Sequence, residues 1–164
     1  MLRATDVIQL LNLQPHPVEG GAFRETYRSA GAITASGTTR STSTAIYYLL
    51  SGDAVSEMHR LPGDEVYHFY LGDPLETLLL AANDPGRIVT LGPDLAAGQV
   101  PQLVIPGGVW QGSVRRPGPN GFTLIGATMA PGFDYADYVR GSRDELSSRW
   151  PLLTDNIRLR TPHG

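Results

Sequence analysis

The chain has 164 residues, of which 41% are hydrophobic and 18% charged, and its formal net charge is −3. This composition predicts one globular domain over residues 1–164 and excludes a disordered chain, while the acidic balance provides no basic surface for nucleic acid or an anionic membrane. Cysteine and lysine are both absent from the sequence, which excludes thiol nucleophiles, thiolate metal sites, disulfides and Schiff-base chemistry.

The N-terminal segment predicts a short helix rather than a signal peptide. Thr5 can cap a helix whose apolar residues fall on one side, and Pro15 and Pro17 end it. Asp6 and Gln9 interrupt the apolar core that a signal peptide needs. No stretch of the sequence approaches the ~20 apolar residues of a membrane helix, so we expect a cytoplasmic protein without a membrane partner.

The middle of the chain alternates short strand-like segments with turn residues. Nine segments are rich in β-branched, aromatic and aliphatic residues, and glycine, proline, asparagine and aspartate separate them. In chain order they are FRETYRS, STAIYYLL, AVSEMHR, EVYHFYL, LETLLLAA, RIVTL, QLVIP, QGSVR and FTLIGATM. Many short strands at even spacing predict an all-β sandwich or barrel.

A second helix is predicted after the last strand. Ser142 and Glu145 have the spacing of a capping box, and Leu146 and Trp150 follow at helical intervals. Pro151 ends this helix, because the residue before a proline is disfavoured in the helical region. The strands are therefore expected between two short terminal helices.

Five segments of the chain form an ordered set of motifs. They are HPVEGGAFRETYRS, STAIYYLL, HRLPGDEVYHFYLGDPLE, VIPGGVWQGS and GFTLIGATMAPGFDYADY. Together they resemble the branch of the cupin superfamily often called cupin-5, which has no assigned activity. The resemblance covers nearly the whole chain and implies an antiparallel double-stranded β-helix, the cupin jelly-roll barrel, with short terminal helices.

The resemblance also implies a site, although part of the usual ligand set is replaced. The usual cupin pattern has two histidines one residue apart, then a glutamate, and a third histidine in a second motif. Here His59 and Glu65 keep two of these positions, whereas Leu61 and Gln111 stand at the other two. By the resemblance, His59, Glu65 and Gln111 point into the barrel. Since only two good metal donors remain, a divalent metal on this set is possible but disfavoured, and no cofactor is assigned.

Strand alternation adds further side chains to the expected site. Because alternate residues share a face, Tyr67 and Phe69 are expected beside Glu65. Arg24, in the early strand, or its neighbour Glu25 can reach the mouth of the pocket, where the planar guanidinium of Arg24 suits an anionic group. The alternative for the two residues is an ordinary cross-strand pairing at the surface.

The other three histidines receive no role in the site. His68 lies three positions after Glu65 and therefore on the opposite face, where we expect it to pack or to meet a partner. His16 precedes Pro17 and is interpreted as an anchor for a loop. His163 belongs to the C-terminal tail.

Three roles stay open for His59, Glu65 and Gln111. We rank a hydrogen-bonding floor for an organic ligand first, a buried structural network second and a weak metal site third. The first role leads to a small-molecule-binding protein, in one hypothesis a metal-independent isomerase or epimerase of a sugar-like polar substrate, similar to the metal-independent sugar-nucleotide epimerases among the cupins. His59 is then the general base, since its pKa is near neutral.

Two alternatives to this enzyme are kept: a non-catalytic ligand-binding cupin and a weakly metal-dependent cupin enzyme. The expected partners are a small-molecule ligand and a second copy of the chain, because the open edges of a strand-rich domain need covering. A homodimer without nucleic acid is therefore predicted.

Overall fold

The computed structural model describes residues 2–35 and 37–162, so that His163 lies outside the described residues. Strands dominate this part of the chain. They are β1 (Gln14–Pro15), β2 (Ala22–Arg28), β3 (Ala32–Ala35), β4 (Thr38–Ser41), β5 (Thr44–Ser51), β6 (Val55–Arg60), β7 (Glu65–Gly72), β8 (Leu75–Leu80), β9 (Arg87–Leu91), β10 (Gln102–Ile105), β11 (Trp110–Arg115), β12 (Phe122–Met129) and β13 (Val139–Arg140).

Two antiparallel sheets make up the body of the fold. One has the strand order β1-β2-β5-β12-β7-β10, and the other has the order β13-β6-β11-β8-β9, while β3 and β4 form a separate hairpin. From β5 to β8 and again from β10 to β12, successive strands alternate between the two sheets, as in a jelly roll. The predicted all-β antiparallel fold is confirmed, and its described residues form two facing sheets rather than one closed ladder.

The inner faces of the two sheets pack against each other. Tyr48 and Ile125 from the six-stranded sheet belong to the same buried cluster as Leu75 and Leu79 from the five-stranded sheet. Each such side chain stabilises the fold by roughly 1.5–3 kcal/mol when it is fully buried. The interior is therefore a true core, and a site inside it has low-polarity walls.

Helices cover the outer faces of both sheets. The helix α1 (Ala4–Leu11) packs Val7 against Leu49 and Phe122 of the six-stranded sheet. The helices α2 (Arg143–Arg149) and α3 (Thr154–Leu159) place Leu146 and Ile157 in the cluster behind the five-stranded sheet. Within the described residues, no helix is long and apolar enough to cross a membrane.

Side-chain oxygens cap the first turns of α2 and α1. Ser142 caps α2, and its Oγ accepts from the backbone N–H of Glu145 at 3.5 Å, as the sequence predicts. The predicted cap at Thr5 is wrong, because α1 begins one residue earlier and Arg3 is its cap. Asp6 accepts from the backbone N–H of Arg3 at 2.9 Å, so that a carboxylate inside the first turn does the capping.

A buried guanidinium fixes the C-terminal helices to the sheet behind the candidate site. Arg160 is fully buried, and its Nε donates to the carbonyl oxygen of Gly112 at 3.0 Å. Its other nitrogens donate to the carbonyl oxygens of Asn156 at 2.9 Å and Glu76 at 3.3 Å. Burying a charge is costly without such partners. This anchoring holds β11, which carries Gln111, from its outer side.

Candidate functional site

A pocket opens between the two sheets and is rich in rings and carboxylates. It is walled mainly by the inner side of the six-stranded sheet, by the segment before β2 and by the short 3-10 turn at Tyr135–Asp137. The lining side chains are His16, Glu19, Phe23, Glu25, Arg28, Thr44, Ile46, Tyr48, Glu65, Tyr67, Ala127, Met129, Phe133 and Tyr135. Two of the six substrate-binding or catalytic residues predicted from the sequence, Glu65 and Tyr67, are among them.

Glu19 enters the pocket because the two glycines after it make a tight turn against the sheet. Gly20 and Gly21 have φ of +88° and +71°, in the left-handed region that favours glycine. A Cβ on Gly20 would lie 2.5 Å from the carbonyl oxygen of Val55, and one on Gly21 would lie 2.6 Å from that of Leu49. Only glycine fits this approach, which sets the Glu19 carboxylate between the sheets.

His16 is neutral, and its hydrogen bonds fix the position of its proton. Its Nδ1 accepts from the backbone N–H of Glu19 at 2.9 Å, so the proton sits on Nε2. That Nε2 lies 3.9 Å from Oε1 of Glu19. Burial and, as the smaller effect, the charge of the neighbouring His59 lower the pKa of His16 to about 4. The sequence predicted His16 as a loop anchor, and the ring does hold the loop through this hydrogen bond. It also lines the pocket, which the sequence did not predict.

His59 lies one layer behind the pocket wall. Its Nδ1 is 2.7 Å from the carbonyl oxygen of Glu57, and a carbonyl only accepts, so the proton of the neutral ring is on Nδ1. Its Nε2 therefore carries a lone pair, and this buried atom has no hydrogen-bond partner among the described residues. Oε1 of Glu19 lies 3.8 Å from it, too far for a hydrogen bond.

Burial also sets the protonation of His59. The side chain is 1% exposed, and its ring stacks on Tyr138 with centroids 4.9 Å apart. Burial lowers the pKa of the imidazole, against the opposing effect of nearby Glu65. His59 is consequently neutral at pH 7 and can take up a proton only through its bare Nε2.

Glu65 and Gln111 meet across the two sheets. Nε2 of Gln111 donates to Oε2 of Glu65 at 2.7 Å, and in the ladder between β6 and β11 Gln111 stands opposite His59. The three predicted residues therefore come together in the interior. Only Glu65 faces the pocket, while Gln111 and His59 support it from the five-stranded sheet.

Two carboxylic acids of this site have a pKa near neutrality. Burial, and then the charge of Glu19, raise the pKa of Glu65 to about 7, despite the opposing His59 and Gln111. Burial likewise raises the pKa of Glu19 to about 7, with Ser56 opposing as a donor to it at 3.4 Å. Near pH 7 each group can therefore both give and accept a proton.

A β-bulge decides which charged residues of β2 reach the pocket. The pairing of β2 with β5 shifts between Glu25 and Tyr27, so one extra residue is accommodated there. Glu25 and Arg28 consequently share the inner side, although regular alternation places residues three apart on opposite faces. Arg28 binds Glu25 through Nε at 2.9 Å and Nη2 at 2.7 Å. Of the two candidates for the mouth, the structure places Glu25 there, joined by Arg28, instead of Arg24.

The remaining predicted residues lie outside the pocket wall. The guanidinium of Arg24 sits over the ring of Tyr47 at 5.6 Å. Phe69 points inward, as alternation requires, but packs against the core cluster. His68 is on the outer side, where its Nε2 lies 3.2 Å from Oγ1 of Thr128.

The metal alternative requires three or four donors around one point, and these residues do not fit that requirement. Gln111 turns an N–H toward Glu65 rather than offering its oxygen, and Leu61, at the second histidine position, is a buried apolar side chain. Across residues 2–35 and 37–162, no three His, Asp or Glu side chains are arranged to hold a metal ion. No chemical step is therefore derived through a metal.

Comparisons with known proteins agree with this architecture. The family model described as Cupin superfamily (DUF985) matches residues 5–140. An uncharacterised protein of Saccharomyces cerevisiae is 33% identical over 145 residues, which are 78% of this chain and 71% of the yeast protein. Solved structures from Shewanella oneidensis (TM-score 0.87, 35% identity) and Leishmania major (a hypothetical protein; TM-score 0.85, 29% identity) match over 98% of both chains.

A more distant neighbour shows the fold alone. Oxalate decarboxylase from Bacillus subtilis matches with a TM-score of 0.55 at 11% identity, over 90% of this chain and 36% of that enzyme. At such low identity, the Mn(II) centres of that enzyme say nothing about metal binding by this chain. Since the family model matches residues 5–140 and the Shewanella oneidensis protein matches 98% of the chain at 35% identity, the protein belongs to the cupin superfamily, in the family described as DUF985.

Proposed function

We propose that the pocket binds a small, polar, sugar-like molecule and catalyses its isomerisation or epimerisation by proton transfer, without a metal. The observation that carries this proposal is the pair of pocket carboxylic acids, Glu19 and Glu65, each with a pKa raised by burial to about 7. Groups with a pKa near the working pH are the most effective acids and bases.

The proton balance of the proposed reaction is simple. One carboxylate removes a proton from the carbon next to a carbonyl group, and the C–H electron pair forms an enolate. The other carboxylic acid can return a proton to the opposite face of the same carbon, which gives epimerisation. For isomerisation, the proton of the hydroxyl on the first carbon passes to the enolate oxygen and the former carbonyl carbon takes up a proton, so that the carbonyl group moves to the neighbouring carbon. Both outcomes need two proton-exchanging groups facing one ligand, and this pocket has them.

His59 also has a role in the proposed reaction, although it lies behind Glu19 and does not face the substrate. Its bare Nε2 lies 3.8 Å from Oε1 of Glu19, and the ring is 1% exposed. We assign it a positioning role behind the base, because burial keeps the ring neutral and its Nε2 is too far from Glu19 for a hydrogen bond. Gln111 holds the Glu65 carboxyl through its 2.7 Å hydrogen bond.

The experiment is proton exchange with solvent. Aldoses, ketoses and their derivatives are incubated with the protein in deuterium oxide, and loss of the C–H signal next to the carbonyl is followed by proton NMR. Glu65→Gln and Glu19→Gln should each remove exchange, while Asp155→Asn, at a side chain that is 95% exposed, should leave it unchanged.

A non-catalytic role is the second candidate. The pocket combines mainly apolar and aromatic walls with a few carboxyl groups, which is the composition of a small-molecule site whether or not the bound molecule reacts. Binding by calorimetry without deuterium incorporation for any member of the panel would establish this role and overturn the isomerase.

A homodimer is also proposed. Strand β10 is an edge of the six-stranded sheet, and Val104 on it is 50% exposed, as is Tyr70 on the neighbouring β7. An open apolar edge is a place where a second sheet can join. Light scattering over a wide concentration range should give twice the chain mass, and Val104→Arg should reduce it; a monomer at every concentration contradicts the proposal.

The expected cytoplasmic location is a separate prediction, for which fractionation of cells is the measurement.

A further inference from the structure

We propose that the pocket selects a small molecule carrying a positively charged amine over its neutral and anionic counterparts. This inference names the ligand class of the pocket described above. It rests on the ligand-binding part of the proposed function and does not depend on catalytic turnover.

The pocket carries more negative than positive charge. Glu19, Glu25 and Glu65 line it, and Arg28 is the cationic side chain among the lining residues. Arg28 pairs with Glu25 in a two-bond contact at 2.9 and 2.7 Å. Among the lining residues, the other two carboxyl groups, those of Glu19 and Glu65, are therefore not paired with a cationic side chain.

Arg28 has no donor left for an anionic ligand. Besides the two bonds to Glu25, its Nη1 and Nη2 each donate to the carbonyl oxygen of Phe133 at 3.2 Å, and Nη1 also reaches Oγ of Ser41 at 3.4 Å. An incoming carboxylate or phosphate would have to displace Glu25 and would also face the other two carboxyl groups. The geometry therefore disfavours anions.

The rest of the wall suits a cation. Phe23 meets His16 with ring centroids 4.5 Å apart, and Tyr135 meets Phe133 at 5.0 Å, while His16 and Tyr135 are 6.4 Å apart. These four rings form a continuous aromatic side beside the carboxyl groups. The face of an aromatic ring attracts a cation, more strongly where water is excluded.

The surrounding titratable groups supply no competing positive charge. His16 is neutral because burial lowers its pKa to about 4, and burial also lowers the pKa of His59. The hydroxyls of Tyr48, Tyr67 and Tyr138 have a raised pKa and stay neutral. Behind the wall, Glu57 is paired with Arg140 at 3.3 Å, and Gln111 is uncharged.

An amine would thus bring the charge that the two carboxyl groups lack. Near pH 7 these groups are partly protonated, since burial raises the pKa of each to about 7. A bound cation favours their ionised form, so an amine that stays protonated over this range, such as N-methylglucamine, should release protons on binding and should bind more tightly as the pH rises from 5 to 8. The binding of a neutral ligand should neither release protons nor tighten with pH. An anion should bind with proton uptake and more weakly as the pH rises.

Calorimetry with matched ligands tests this inference. One set is N-methylglucamine, sorbitol and gluconate, and the other is glucosamine, glucose and glucuronate, so that charge changes while the skeleton is nearly constant. At least one amine should bind roughly tenfold or more tighter than its neutral partner, and the acids should bind more weakly still. Titrations in buffers of different ionisation enthalpy should show proton release for the amine.

Variants connect the effect to the two carboxyl groups. Glu19→Gln and Glu65→Gln should each reduce the preference for the amine and the proton release, whereas Asp155→Asn should change neither. Equal affinity within both sets, preference for the acid, or failure of every amine to bind would overturn the inference. Amine binding without deuterium exchange would leave it standing while overturning the isomerase.

Discussion

The buried carboxyl group of Glu65 should make the protein less stable as the pH rises through neutrality, and Glu65→Gln should remove much of this loss. The pKa of Glu65 is about 7 in the folded protein against an ordinary 4.5. Because the folded-state pKa is the higher one, its contribution to stability is fully present below about pH 4.5 and is lost as the pH rises through 7.

The magnitude follows from the same two values. Their difference is 7 − 4.5 = 2.5, which at ~1.36 kcal/mol per pKa unit corresponds to about 3 kcal/mol. The residue is 8% exposed, so solvent screens little of this effect. A glutamine at position 65 carries no charge at any pH, and its carbonyl oxygen can still accept from Gln111.

Urea unfolding followed by tryptophan fluorescence at pH 5, 6, 7 and 8 measures this effect. The free energy of unfolding of Glu65→Gln minus that of the original protein should increase by about 2.5 kcal/mol across this range, because part of the full difference already falls below pH 5. Asp155→Asn, at a side chain that is 95% exposed, serves as the control and should follow the original protein. If Glu65→Gln also ran parallel to the original protein at every pH, the burial of an acid with a raised pKa would be refuted.

Three further predictions concern the turn, the site and the metal. Gly20→Ala should lower the free energy of unfolding by about 1–3 kcal/mol, because its φ is +88° and its Cβ would lie 2.5 Å from a backbone carbonyl oxygen. Gly98→Ala is the control for the backbone strain alone, since Gly98 has φ +76° and open space around it. Equal melting temperatures for the two variants would contradict the close approach at Gly20. His59→Ala should weaken ligand binding in calorimetry or slow proton exchange while the fold persists, because the ring lies behind the Glu19 carboxyl group; normal binding with a far lower melting temperature would make His59 structural. Metal analysis should find substoichiometric transition metal and chelation should not unfold the protein, whereas one tightly held ion per chain at His59, Glu65 and Gln111 would overturn the metal-free site.

The sequence by itself determined the strand framework. Each of the nine predicted segments is a strand, from β2 and β5 through β12, because runs of β-branched, aromatic and aliphatic residues between glycine and proline turns encode strands locally. The helix after Ser142 was also predictable, since its cap and its buried Leu146 are close in sequence. The ordered motifs then added the jelly roll as the way these strands pair.

Elements too short to show a periodicity were missed. The strands β1 and β13 have two residues each, and the hairpin of β3 and β4 has four on each side. The helix α3 has six residues, and it stays in place because Ile157 is buried behind the five-stranded sheet and Arg160 binds across it. A helix as short as α3 is marginal by itself, and contacts with distant parts of the chain stabilise it.

For the site, the resemblance implied that His59, Glu65 and Gln111 point inward, and alternation added Tyr67 and Phe69 to the face of Glu65. Tertiary structure decided which of these groups face the ligand. Glu19 reaches the pocket because two glycines press its loop onto β5 and β6, and Arg28 does so because a bulge shifts β2. Loop docking and bulges depend on packing between elements far apart in the chain, which neither alternation nor composition encodes. The chemistry of the pocket, two acids poised near neutrality, therefore exists only in the folded protein, where burial has removed water from both.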